Sequence, residues 1–488
     1  MTFVASDLLW QAPVIVLAIT GLLLVVAEAF ASGRSRAFMM KLAVAGCVLA
    51  AVAAIVVWRK LGGQPRTVMG GMLVADQFSC FFIVLFSGVA ALTALASSDY
   101  LEEHDFHVGE YYGVMMLSVT GMAILAMAHD LVTVFIGIET MSLGAYVLVA
   151  SRRRSLRSAE AGMKYFLMGA FATGFLLYGI ALVYGAIGST DLGVIGARAS
   201  AYTSSPLLIT GILFMLVAFG FKIAAVPFHM WAPDAYEGAP TPVTGFMASA
   251  VKAAAFAALV RVFADTFDGP VLPYGYMGWA GLIAAAGAVT MTVGNVAALR
   301  QENVKRMLAY SSISHAGVMM VAVAAMGVGA ATQARPALLY YLAAYSVTTV
   351  GAFAVASWVG SRGDERTLVE DWSGLAQSRP GAALAMTIFM LSLGGIPPIA
   401  GFFGKFYVFR AAMYADDNQL LWLVVVGVLN SAISIFYYLR LVTAMYFRDP
   451  LRDHKTLSSP ATVFAFVICA LLVIQMGLMP SWWLAFTG

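Results

Sequence analysis

Charge is scarce in this sequence. Asp, Glu, Lys and Arg make up 11% of its 488 residues, against about 25% in a soluble domain. That leaves too little polar surface to cover a water-soluble body of this length. Cysteine is scarcer still: Cys47, Cys80 and Cys469 stand singly in apolar runs, with no CxxC or Cys/His spacing. This argues against a disulfide framework or a metal cluster and reads as packing. The glycines are scattered through long apolar runs and are not set between a strand and a helix, so no flavin or nicotinamide fingerprint is expected. Nor is there a nucleophile–base pair, a phosphate loop or a basic nucleic-acid face. The start, MTFVASDLLWQAP, has no basic region before its first apolar run, which argues against a cleaved signal peptide. A net charge of +3 decides little, because in a membrane protein the placement of charge outweighs its sum.

What the chain has is hydrophobic length. Runs of about 20 apolar residues can each cross a bilayer as a helix. Fourteen such runs are expected, over 10–31, 38–59, 73–97, 111–128, 131–150, 160–187, 205–228, 242–264, 272–298, 304–328, 336–360, 381–412, 420–446 and 460–486. The connections are short, so the expectation is one all-α polytopic membrane protein lying in a lipid bilayer. Lysine and arginine set its orientation. Arg34, Arg36 and Lys41, the cluster Arg152 to Arg157, and Arg300, Lys305 and Arg306 fall on alternate loops. Arg362, Arg366 and Arg379, and then Arg440, Arg448, Arg452 and Lys455, continue the same set. These loops form the basic-loop face, expected to be cytoplasmic, and both termini then point away from the cytoplasm. The acidic loop 99–110, DYLEEHDFHVGE, lies on the same face, though acids weigh little in this rule.

Two spans are interrupted. FKIAAVPFHMW breaks at Pro227 and LGGIPPIAGFFGKF at Pro397 and Pro398, 170 residues apart with five spans in each period. An odd number of spans per unit inverts the second copy relative to the first. Paired broken segments in inverted halves point to a transport site near the bilayer midplane.

Few ionisable groups fall inside the spans: Glu139, Lys164, Lys222, Lys252, Lys405, His229 and His315. A charge at that depth costs about 3 kcal/mol or more. Glu139 lies mid-helix with no cation within one turn, so it is either a proton-handling carboxyl or a hydrogen-bonded helix tie. Lys222 and Pro227 explain each other, since non-helical backbone at this depth needs a hydrated or protein-lined pocket. Lys252 sits among small residues that leave room for water, and Lys405 follows the Pro-Pro break; both read as proton carriers. Lys164 has Glu160 one turn earlier, and an i,i+4 pair near a helix end with a snorkelling stem explains it as well as a functional role does. His229 could relay protons or cap broken backbone. His315, among serines in AYSSISHAG, fits either a proton path or a satisfied polar seam.

Together FIGIETMSLGAYVL, FKIAAVPFHMWAPDAYEGAPTPVTGFMASAVKAA, KRMLAYSSISHAG and GGIPPIAGFFGKF closely resemble the antiporter-like membrane subunits of respiratory complex I, NADH:quinone oxidoreductase. WAPDAYEGAPTPVT, with lysine at the second break, resembles the N-type in particular. The likeness runs from about residue 70 to 450. It implies about fourteen transmembrane helices with two inverted five-helix repeats and the seventh and twelfth helices broken. The division would be N-terminal helices over 1–110, a first half over 111–264, an inverted second half over 272–446 and a C-terminal helix over 460–488. It implies an ion pair between Glu139 and Lys222 and a hydrated proton chain through Lys252 to Lys405. His229 and His315 match bridging polar positions, with Lys164 a less direct match. The chain would translocate protons in a bacterial inner membrane, driven by quinone reduction elsewhere, beside K-type and M-type subunits. NADH, FMN, iron–sulfur clusters and quinone would belong to other subunits, and this chain would bind no cofactor, metal or nucleic acid. The alternatives are a multi-subunit cation/proton antiporter and a scaffold whose buried charges only fix packing.

Overall fold

A computed structural model describes residues 7–30, 36–104, 108–267, 278–361, 364–451, 456 and 459–486. The loop charges Arg34, Arg362, Arg452 and Lys455, and residues 105–107 of the acidic loop, lie outside the described residues. The long helices are α1 (Asp7–Phe30), α2 (Arg36–Leu61), α3 (Gln77–Glu103), α4 (Val108–Met127), α5 (Leu131–Val149) and α6 (Leu156–Ile187). They continue as α7 (Pro206–Lys222), α8 (Trp231–Gly238), α9 (Thr241–Ala264), α10 (Gly278–Leu299), α11 (Val304–Ala325) and α12 (Ala331–Trp358). The last are α13 (Pro380–Gly394), α14 (Ala400–Ala412), α15 (Leu421–Phe447) and α16 (Pro460–Leu478). Among the described residues, eleven helical segments are long and apolar enough to cross a membrane. One of them, Val304–Trp358, is 55 residues long and turns back at Val328 and Gly329 (φ 84°), so α11 and α12 pack on each other.

The two interrupted runs become two helix pairs, α7 with α8 and α13 with α14. The first stop comes at Lys222, before the proline. Ala224 takes a left-handed conformation (φ 58°) and the Ala225 N–H donates to Gly220 O at 2.8 Å. That is the geometry of a helix C-terminus closed by a left-handed residue, reached here without glycine at a cost of about 1–2 kcal/mol. The second stop repeats it: Gly395 is left-handed (φ 79°) and the Ile396 N–H donates to Leu391 O at 3.0 Å. Here a side chain would also collide, since a Cβ on Gly395 would lie 3.0 Å from the Lys405 stem.

The interior is built on α9, which is buried on every side, and on α11 and α12, which are nearly so. A helix apolar all round belongs in such a core. Single π-turns at Met247–Val251 and Val260–Ala264 interrupt α9. They place Lys252 directly after the first and Arg261 inside the second. Such bulges re-aim side chains and recur at functional sites.

Arg261 anchors the end of α9 away from the basic-loop face. Its Nη1 and Nη2 donate to the two Asp76 carboxylate oxygens at 2.7 Å each, and Nε and Nη2 donate to Ala126 O at 3.2 and 3.1 Å. Asp76 in turn accepts from the Ser79 N–H at 2.8 Å and caps α3. The pair ties α3, α4 and α9 together. Burial pushes the Asp76 carboxyl up, but the Arg261 charge and the bonds from Arg261 and Ser79 outweigh it and hold the carboxyl below its usual range.

Arg261→Met leaves Asp76 and Ala126 O buried without this partner, and thermal unfolding in detergent is expected to show a loss of about 3–5 kcal/mol. In the unsubstituted protein the stabilisation is complete above the ordinary carboxylate range and is lost as pH falls through the lowered Asp76 value. Arg261→Met should remove that acid-side dependence.

Candidate functional site

Four lysines are buried among the described residues; Lys305 closes the end of α8, and the other three carry the site. Lys222, Lys252 and Lys405 are 4%, 2% and 7% exposed, so none snorkels to a helix end or faces lipid. Each is solvated by neutral oxygen. Lys222 Nζ donates to Ser142 Oγ at 2.7 Å and to Tyr146 Oη at 3.2 Å, and it lies 5.5 Å from the Tyr146 ring centre. Tyr146 can reach it because position 169 is glycine: a Cβ there would overlap the Tyr146 hydroxyl. Lys252 Nζ donates to Ser312 O at 2.6 Å and also to the Ser312 hydroxyl. Lys405 Nζ donates to Gly394 O at 3.2 Å, a carbonyl exposed by the second helix break.

Glu139 differs from expectation. No ion pair within 4.0 Å joins it to Lys222 among the described residues. Its Oε1 accepts from Thr173 Oγ1 at 2.7 Å, and the side chain lies at the edge of the exposed apolar face of α5, beside Ile136 and Leu143. The physical reason is local: Ser142 and Tyr146, one and two turns further along α5, take the lysine's hydrogen bonds.

The loop between α7 and α8 is non-helical at membrane depth and needs partners for its backbone. Trp231 Nε1 donates to Phe221 O at 3.0 Å, and the Val226 N–H donates to Thr290 Oγ1 at 3.0 Å. The far end of α8 is closed by Lys305, whose Nζ donates to Glu237 O at 2.8 Å and Ala239 O at 2.6 Å. Arg306 Nη1 donates to Asp234 and Glu237, each at 2.8 Å. Lys164 binds Glu160 at 2.7 Å and Asp234 at 3.0 Å, and its side chain is 47% exposed. Lys164 therefore belongs to a charge network that staples α8 to α6 and α11, not to the row of amines.

His315 lies inside the row. Its Nδ1 pairs with Tyr341 Oη at 2.6 Å and its Nε2 with Tyr438 Oη at 3.1 Å. It lies one helical turn from Ser312, the partner of Lys252, and it shares a small cavity with Lys405. His229 is placed otherwise: half-buried in the α7–α8 loop, its Nδ1 has no hydrogen-bond partner among the described residues. The structure thus brings Lys252, Ser312, His315 and Lys405 close together, holds Lys222 against Ser142 and Tyr146 on the helix that carries Glu139, and leaves Lys164 and His229 apart from both groups. Sequence reasoning passed over Ser142, Tyr146 and Ser312. The first two stand at i+3 and i+7 from Glu139, on its side of α5, which was the available signal. No cluster of three or more potential metal ligands occurs among the described residues. Amines and hydroxyls so arranged can hold protons and pass them on.

Comparison with known proteins gives a consistent result. Residues 128–434 match the family described as NADH:quinone oxidoreductase/Mrp antiporter, TM. The chain is 46% identical to NADH-quinone oxidoreductase subunit N 1 of Sorangium cellulosum (strain So ce56), covering 96% of this chain and 95% of that one. It is 43% identical to NADH-quinone oxidoreductase subunit N of Trichlorobacter lovleyi, covering 97% and 95%. Among solved structures it is similar to a chain of respiratory complex I from Thermus thermophilus with bound Aureothin. The TM-score is 0.81 at 34% identity, with 98% of this chain and 100% of that chain covered.

A buried amine solvated by neutral groups alone costs stability that a true ion pair would offset. Lys252→Met is therefore expected to hold or raise the melting temperature in detergent, opposite in sign to Arg261→Met. A loss of several kcal/mol on Lys252→Met would show that the lysine is there to hold helices together.

Proposed function

The chain belongs to the NADH:quinone oxidoreductase/Mrp antiporter transmembrane family, and from that premise we propose that it is the N-type proton-translocating membrane subunit of NADH:quinone oxidoreductase. It acts as a translocase subunit with no redox centre of its own; NADH, FMN, iron–sulfur clusters and quinone belong to its partners. It crosses a bacterial inner membrane fourteen times, with both termini away from the cytoplasm, between K-type and M-type subunits. Two inverted halves, 111–264 and 272–446, each contain one broken helix. The closely similar helix stops at Lys222–Ala225 and Gly394–Ile396 support that symmetry.

The observation that carries this reading is the row of Lys222, Lys252 and Lys405, buried and bonded to hydroxyls and carbonyls but to no carboxylate. A carboxylate moving toward an ammonium favours its charged form, and one moving away favours proton release. Glu139, at the rim and bonded to Thr173, is the group that can make this movement. When Glu139 swings toward Ser142 it stabilises the proton on Lys222. When it returns to Thr173 the proton is released toward Lys252 and Ser312, then past His315 to Lys405. Quinone reduction in other subunits drives the cycle. Lys164 and His229 are secondary: Lys164 stays in the charge network of α6, α8 and α11, and His229 lies in the α7–α8 loop beside the path.

In the assembled complex reconstituted in vesicles, Lys222→Ala or Glu139→Ala is expected to lower the number of protons moved per electron by at least the share carried by this subunit. Full pumping by either variant would contradict this proton path. Sodium-coupled exchange without peripheral dehydrogenase subunits would point instead to the cation antiporter.

A further inference from the structure

Beyond the row itself, a second line of polar groups leaves His315 toward the basic-loop face. Tyr438 on α15 meets His315 Nε2 at 3.1 Å, and the same hydroxyl makes a short hydrogen bond to Ser311 on α11. One helical turn further toward the start of α11, about 6 Å along the axis, stands Met307. Its sulfur contacts Arg440 Nη2 at 3.9 Å. Arg440 is half-buried and donates to Leu299 O at 3.0 Å and to Gln301 O, at the loop end of α10. Ser311 and Tyr438 are both about 1% exposed. From His315 to the loop surface the line is therefore hydroxyl, hydroxyl, thioether, guanidinium.

At its inner end lies a cavity with about 10 Å³ of room, bounded by His315, Lys405, Ser314, Asn295, Ser434 and Tyr437. That is enough for one water with several polar partners. His315 thus faces Tyr438 on one side and a water-sized space shared with Lys405 on the other. Helix packing alone does not require this arrangement. The far wall of the same cavity is a closed network in which Asn295 donates to Asn430 and Tyr437 donates to Asn295, so α10 and α15 are already joined without the Tyr438–Ser311 pair.

We propose that Tyr438 and Ser311 are proton relay residues that load Lys405 from the basic-loop face, independently of Lys222, with Met307 as the gate. This rests on the proton-translocating function proposed above and adds a second entrance to it. The step balances by successive hops. Ser311 Oγ takes a proton from water on the loop side and gives its own to Tyr438 Oη, which gives its own to His315 Nε2. His315 then turns Nδ1 from Tyr341 Oη toward the water-sized cavity and releases that proton there to a neutral Lys405. Each oxygen gains one O–H bond and loses one, the loop-side water gives up the proton that the lysine gains, and His315, left with its proton on Nε2, returns to the Nδ1 tautomer before the next turn. Met307 suits a gate because its unbranched thioether is among the most mobile of apolar side chains.

The test uses the assembled complex in vesicles, with protons moved per electron as the readout, so that a slower enzyme does not count as a defect. Tyr438→Phe keeps the ring and removes the hydroxyl, Ser311→Ala makes the smaller change should the first fail to assemble, and Ser311→Thr restores a hydroxyl. The proposal predicts that Tyr438→Phe and Ser311→Ala both lower the ratio part of the way toward that of Lys405→Ala, since the route from Lys222 stays open, while Ser311→Thr keeps it. If Lys405→Ala lowers the ratio but Tyr438→Phe and Ser311→Ala do not, the second entrance is overturned and the row stands. The same holds if Ser311→Thr fails as badly as Ser311→Ala, because packing then decides and not the hydroxyl. If Lys405→Ala itself pumps at the full ratio, both the entrance and the function beneath it fail.

Discussion

A protonated amine surrounded by neutral oxygens is the constraint on which the rest of this structure depends. A charge at bilayer depth costs about 3 kcal/mol or more. A carboxylate in direct contact would offset much of that cost, but it would also hold the proton in place. The protein separates these two roles. True ion pairs stand near the helix ends: Arg261 with Asp76, and Arg306 with Asp234 and Glu237. Midway along, Lys222, Lys252 and Lys405 rest on Ser142, Tyr146, Ser312 and the Gly394 carbonyl. Paired charges tie the scaffold together, and the three amines rest on neutral partners, as the proposed proton path requires.

The broken helices follow from the same need. A continuous helix satisfies all of its own carbonyls and has none to offer a lysine. Ending α7 at Lys222 and α13 at Gly394 releases backbone groups at the depth where the amines lie. The protein then satisfies most of them from elsewhere, with Trp231 at Phe221, Thr290 at Val226 and Lys305 at the end of α8. Gly394 O is kept for Lys405. The strained Ala224 belongs to this design, since sparsely populated backbone conformations persist where the surroundings over-determine them and function uses them.

Much of this was legible in the residues alone. Long apolar runs locate helices because the bilayer permits little else. A proline in such a run marks an interrupted helix, and that signal occurs twice, at 227 and 397, where the structure has its two helix breaks. The partner of each amine was not legible. Glu139 was expected beside Lys222 because the family resemblance implies that pair, and no local pattern named a partner. The answer in space is Ser142 and Tyr146, and it depends on Gly169 making room for a hydroxyl from another helix. Lys305 and Arg306 were readable only as loop charges that set orientation. Their work as a clamp on α8 depends on α8 and α11 lying side by side, which no local pattern encodes. His229 looked equivalent to His315, yet only His315 falls on a helix that faces the row.

The central claim is that protons cross the middle of this protein sideways, by way of water and hydroxyls between Lys222 and Lys405. The most direct measurement is a density map of the assembled complex fine enough to show ordered water. The account predicts water or hydroxyl oxygens within hydrogen-bond reach at each step from Ser142 past Lys252 and His315 to Lys405. A map with a dry, apolar stretch along that line in every state of the working cycle would contradict it.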